Sequence, residues 1–122
     1  MDLIYTSEKV RLQCTNAKEA SKRFGGDREL TVSLLARINA MEAADTIKDI
    51  IVQPAFHFHR LSKTKRNLQG WFAIDVKTRK EQWRVIFRPL NEEGEPYVPC
   101  NIDEIAETVK RVEISEVSKH YE

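Results

Sequence analysis

The chain has 122 residues, 41% hydrophobic and 32% charged; this suits one compact domain, 1–122, with a core and a heavily solvated surface, and excludes wholesale disorder or a second enzyme-sized unit. No apolar run approaches the roughly 20 residues that span a bilayer, and Met1–Val10 has no basic stretch leading into an apolar one, so a cytoplasmic protein with no membrane contact and no export signal is expected. The net charge of +1 hides a segregation, since residues 57–88 carry nine Lys/Arg against two Asp/Glu while residues 91–122 carry three against nine; a basic middle can attract a polyanion or be neutralised by the acidic tail within the fold, and charge alone leaves both open.

Leu3-Ile4-Tyr5-Thr6 reads as a short strand, and Ser7 is placed to cap a helix by accepting from a free backbone N–H. Val10, Cys14, Ala17 and Phe24 fall on one helical face, with a break expected at Thr15-Asn16, whose side chains compete for backbone hydrogen bonds. Gly25-Gly26 ends this segment. Asp27 caps the next helix, with Leu30, Leu34, Ile38 and Met41 as its apolar stripe, which predicts a helical hairpin.

The periodicity changes to two after Pro54. His57, His59 and Leu61 alternate with Phe56, Phe58 and Arg60; Phe72, Ile74 and Val76 with Trp71, Ala73 and Asp75; Trp83, Val85 and Phe87 with Arg84, Ile86 and Arg88. Three strands with one buried face follow, joined through 62–70 and 77–82, the third closed by Pro89. Asn91–Pro96 is a turn-rich loop, Asn101 or Asp103 starts a short helix to about Glu107, and Thr108–Val117 reads as the last strand. Helices segregated from a mainly antiparallel sheet define an α+β class.

Cys14 and Cys100 form no CxxC pattern and read as reduced packing thiols. There is no glycine-rich phosphate loop and no GxSxG elbow. His57 and His59 lack a third ligand at metal spacing, so no metal or other cofactor is expected. What remains suits nucleic acid. Lys63, Lys65 and Arg66 follow the first core strand, Arg84 and Arg88 share a face of the third, and His59 and His120 can exchange protons near neutral pH. Metal-free RNA cleavage needs a base for the 2′-hydroxyl, cations for the charge that develops on phosphate, and an acid for the departing 5′-oxygen. The bland alternative is a solvated basic rim and a frayed end.

Three segments carry a family resemblance: His59-Arg60-Leu61, Asn67-Leu68-Gln69-Gly70-Trp71-Phe72-Ala73-Ile74-Asp75-Val76, and Gln82-Trp83-Arg84-Val85-Ile86-Phe87-Arg88. They resemble the HigB toxins of the RelE/ParE superfamily, in which an H-x-L-K-type stretch is followed by G-[YW]-[WF]-[SA]-I and W-R-[IV]-x-F. Those chains usually end in a strand followed by D-Y-H, where this one has Ser118-Lys119-His120-Tyr121. The resemblance implies a RelE-like fold, an N-terminal strand and helical hairpin packed on a four- to five-stranded sheet. It implies a ribosome-dependent mRNA endonuclease that inhibits translation and is neutralised by a HigA-like helix-turn-helix antitoxin, with operator DNA met only through that antitoxin. Carried over by position, His59, Arg84 and His120 are catalytic candidates. Lys63 joins them one place beyond strict spacing, which lands on Ser62. Arg60, Lys65, Arg66, Arg88 and Lys119 are RNA-binding candidates. Ser118 and Lys119 replace the family's terminal Asp and Tyr. Two other readings stay open: a ParE-like gyrase poison on the same fold, and a catalytically inactive relative that binds RNA or protein.

Overall fold

Ser7, in extended conformation, accepts a hydrogen bond from the Val10 N–H at 3.2 Å and opens α1 (Glu8–Thr15). Asn16 ends α1, and its side chain accepts from the Glu19 N–H to open α2 (Ala17–Arg23), so the expected break occurs at that pair. The chain then turns through Gly25 and Gly26, whose φ of +62° and +89° is open to glycine at little cost. Asp27 caps α3 (Arg28–Ala43) by accepting from the Leu30 N–H. Such a cap contributes about 1 kcal/mol, so the three caps set the hairpin's boundaries locally. Its inner face buries Val10, Cys14, Ala20, Leu30, Leu34, Ile38 and Met41.

The computed structural model describes residues 1–61 and 69–119; Lys63, Lys65, Arg66 and His120 lie outside the described residues. The remaining elements are β1 (Asp2–Tyr5), α4 (Lys48–Ile51), β2 (His59–Arg60), β3 (Phe72–Asp75), β4 (Arg84–Leu90), α5 (Ile102–Ile105) and β5 (Arg111–Ser118). They form a five-stranded sheet in the order β1-β5-β4-β3-β2, with β1 parallel to β5 and the other pairs antiparallel. The α+β class with a helical hairpin on a mainly antiparallel sheet is therefore as expected. Among the described residues no helix is long and apolar enough to cross a membrane.

One face of the sheet meets the hairpin. Phe72, Ile74, Val76, Val85, Phe87, Val112, Ile114 and Val117 all join the same buried cluster as the helices. Full burial of each large side chain contributes roughly 1.5–3 kcal/mol. Ile114 and Val117 lie three apart, which strict alternation forbids on one face. A bulge reconciles them: Glu116 pairs with Ile86 but Ile114 pairs with Phe87.

Three expectations need correction. The strand expected over Phe56–Leu61 is reduced to β2, because Pro54 opens a 3₁₀ turn (Pro54–Phe56) and His57 takes a left-handed φ of +48°. Proline's fixed φ and missing N–H suit that first turn position. β4 does not stop at Pro89 but runs to Leu90; β3 reaches only to Phe72 opposite Phe87, and Leu90 next bridges Pro96, so Pro89 lies in a gap between these pairings where a missing N–H is tolerated. The last strand begins at Arg111 rather than Thr108, since the Thr108 and Val109 N–H groups still donate to the Ile105 carbonyl.

Candidate active site on the open face of the sheet

The strand registers place His59 opposite Ala73, Asp75 opposite Arg84, and Ala73 opposite Ile86. These residues and Arg88 share the face turned away from the hairpin. Leu61, Ala73 and Ile86 form a small apolar floor there, with Trp71 packed on it. Polar groups lie at both ends of that floor. Arg84 and Arg88 are four residues apart on β4, about 13 Å along a strand.

At one end Asp75 is 2% exposed and Arg84 7%. The Asp75 Oδ1 atom lies 3.0 Å from Arg84 Nε and 3.4 Å from His57 Nδ1. Arg84 donates from Nη1 to the Trp83 carbonyl (3.0 Å) and from Nη2 to the Arg79 carbonyl (3.4 Å). Among the described residues its buried Nε–H has no aligned acceptor, so the contact with Asp75 is an ion pair without a hydrogen bond. Burying such a pair gains little stability over an apolar pair of similar volume, while breaking it is costly. The free phosphate-gripping fork expected of Arg84 is thus a guanidinium already engaged on carbonyls and a carboxylate.

His57 follows the 3₁₀ turn, its N–H bonded to the Pro54 carbonyl. Its ring stands 4.8 Å from that of His59, tilted by 33°. His59 Nδ1 lies 2.8 Å from the His57 carbonyl. A carbonyl only accepts, so Nδ1 carries the proton and the neutral ring has its lone pair on Nε2. Arg37 of α3 fixes this corner from behind, donating from Nε to the Asp75 carbonyl (3.0 Å) and from Nη2 to those of Ala55 (3.1 Å) and Lys77 (3.3 Å). Burial pushes the Arg37 pKa down, with Asp75 acting in the opposite sense.

At the other end Arg88 lies 4.6 Å over the Trp71 ring and donates from Nε to Glu113 at 2.7 Å. Lys119 is exposed, 5.0 Å from the Trp83 ring, on the rim where Ser118 pairs with Arg84. Arg23 of α2 also lies over Trp83, at 4.8 Å. Arg60 does not join His59: alternation turns it to the opposite face, where it lines a cleft with Tyr97, Pro99 and Cys100. A larger cleft of about 690 Å³ lies between α1, α2 and β5, away from the histidines. Two carbonyls of β5 there are already occupied, Ser115 by Thr6 Oγ1 and Val117 by Arg23 Nε. Among the described residues no three His, Cys, Asp or Glu side chains are grouped to hold a metal ion.

His59, Arg84 and Arg88, candidates from the sequence, stand on one face of the sheet; the fold adds His57 and Asp75 beside Arg84 and Arg37 behind them, residues without a role in the sequence reading. The available signal was a carboxylate at the third place of the Trp71, Ala73, Asp75 alternation, on the face opposite the apolar Phe72, Ile74 and Val76.

A helical hairpin on one side of the sheet and a polar, histidine-bearing face on the other define a RelE-like α+β protein. The family model of the HigB-like toxins, described as the RelE-like toxin of the type II toxin–antitoxin system HigB, matches residues 19–100, and the chain belongs to that family. The match runs from α2 to Cys100 and so includes His57, His59, Asp75, Arg84 and Arg88. No curated protein matches the chain.

Proposed function

We propose that this type II toxin is a ribosome-dependent mRNA endonuclease, residues 1–122 forming its single toxin domain, and that a HigA-like helix-turn-helix antitoxin neutralises it. The carrying observation is the open face itself, where two imidazoles 4.8 Å apart adjoin a buried carboxylate and basic side chains. In this reading His59 exchanges a proton with the RNA through Nε2, and the resemblance gives the second proton-transfer role to His120. Lys63 and Arg84 stabilise the phosphate. For Arg84 to reach it, the bonds to the Trp83 and Arg79 carbonyls have to be exchanged for bonds to phosphate. Arg88, Lys119, Lys65 and Arg66 hold the RNA by screened attraction, which fits a cytoplasmic protein working on the ribosome and meeting operator DNA only through its antitoxin. Arg60, on the opposite face, stands outside this reading.

Inducible expression without an antitoxin, followed by pulse labelling, tests the reading. Protein synthesis is expected to stop; continued synthesis at full toxin level rejects it, and accumulation of gyrase-linked DNA breaks instead points to a ParE-like poison. The engagement of Arg84 favours one second reading, a relative that binds RNA without cutting it. Such a protein is harmless in the same experiment.

A further inference from the structure

We propose that His57, oriented by Asp75, is a catalytic residue and the acid–base partner of His59. The inference rests on the endonuclease reading above and gives to His57 the second proton-transfer role that the resemblance assigns to His120.

Three observations converge on His57. First, it is one of two described non-glycine residues with positive φ, and the other, Gln82, lies in the β3–β4 connection. A left-handed backbone is unfavourable for most side chains and persists where the surroundings impose it. Here they do: the Pro54–Phe56 turn lies on one side, and Arg37 holds the Ala55 and Asp75 carbonyls together. Secondly, a carboxylate that is 2% exposed faces the His57 Nδ1, and Asp75 Oδ1 is shared between that nitrogen and Arg84. Burying this charge is poorly explained as a gain in stability. Thirdly, both rings are held through Nδ1, His57 by Asp75 and His59 by the His57 carbonyl. Both therefore use Nε2 for exchange, and both belong to one 4.8 Å pair. The charged groups facing His57 are Asp75 from β3, Arg84 behind it from β4, and His59 from β2. Arg37, behind the corner, donates to its carbonyls, lies 4.4 Å over the Phe56 ring and interacts with the Asp75 charge.

The chemistry balances without any group outside the protein and RNA. One imidazole, neutral, takes the proton of a 2′-hydroxyl; that oxygen bonds to the adjacent phosphorus. The bond from phosphorus to the 5′-oxygen breaks, and the other imidazole, protonated, gives its proton to the departing oxygen. The products are a 2′,3′-cyclic phosphate and a 5′-hydroxyl. Asp75 touches none of the reacting atoms and is a positioning residue.

The left-handed backbone supplies a clean test, because glycine and asparagine adopt it readily. His57→Asn and His57→Gly should fold at least as well as the parent, which thermal unfolding and circular dichroism check, yet lack the imidazole. With translating ribosomes in excess, wild-type protein should show a bell-shaped pH–rate profile, and both variants should cleave about 10²–10⁴-fold more slowly with one limb of the profile lost. Asp75→Asn should lower the rate less, and nitrogen-15 spectra should show the His57 tautomer no longer fixed with the proton on Nδ1. If folded His57→Asn cleaves at the wild-type rate, the proposal falls. It also falls if His120→Ala abolishes cleavage while His57→Asn leaves both rate and pH profile intact, the second role then belonging to the tail. Absence of cleavage by the wild-type protein itself overturns the endonuclease reading and this inference with it.

Discussion

The two faces of one sheet are built to opposite rules. The face under the hairpin is aliphatic and aromatic: Phe87, Ile74, Val85 and Ile114 are fully buried, and β3, β4 and β5 turn apolar side chains to it. The open face has only a three-residue apolar floor, with a buried ion pair and two histidines at one end and an arginine on tryptophan at the other. Packing explains the first face. The second holds groups whose burial costs free energy, as a side kept for function rather than for stability would.

The sharpest way to break this contrast is to damage each face and compare. Phe87→Ala should cost about 3–5 kcal/mol in denaturant unfolding, with cleavage lost only in step with the folded fraction. Arg84→Ala should cost a similar 3–5 kcal/mol or so, because it leaves Asp75 buried without a counter-charge. The double change Asp75→Leu with Arg84→Met should recover most of that loss while activity stays absent. A double variant as unstable as the single would show that the ion pair is a stability element after all.

A smaller effect separates the faces by pH. Burial pushes the Cys14 thiol under the hairpin up to about 12 from an ordinary 9.0, and burial also raises the Tyr5 phenol. The folded state thus keeps a proton that the unfolded chain loses. Stability from Cys14 is complete below about pH 9 and declines as pH rises toward 12, by at most about 1.4 kcal/mol per unit. Denaturation midpoints between pH 8 and 11 should fall, and less steeply in Cys14→Ala. The smallest expected effect is at the far end of the open face. Arg88→Ala removes a partly exposed ion pair and a cation–π contact, which together contribute about 0.5–1 kcal/mol. Ribosome pelleting should show weaker docking, with little change in the rate of cleavage once bound.

Much of this arrangement was legible in the sequence, for identifiable reasons. Ser7, Asn16 and Asp27 mark the helix starts because each cap is a local hydrogen bond three residues long. The faces of residues 56–59 were also right, although the backbone becomes a strand only at His59. Phe56 and Phe58 go to the core, Phe58 stacking on Phe72 at 5.1 Å, while His57 and His59 go to the open side. Alternation records which face a side chain takes and is silent about a turn that preserves it. The pairing of Asp75 with Arg84 was not legible, because periodicity fixes a strand's face but not which residue lies opposite. The bulge at Ile86 and Phe87 adds a shift that no pattern in β4 or β5 announces. Arg84 was identified from its motif as a phosphate ligand, and only the fold shows it held by carbonyls.

The central claim, that the open face carries the chemistry, meets its most direct test in mapped message ends. Purified protein is added to ribosomes translating a defined mRNA, and the fragments are sequenced and their termini typed, for the wild type and for His59→Ala. The account predicts breaks within the translated region that bear 5′-hydroxyl and 2′,3′-cyclic phosphate ends, formed about 10²–10⁴-fold more slowly by the variant. An intact message at stoichiometric folded protein, or breaks formed equally fast by His59→Ala, would contradict it.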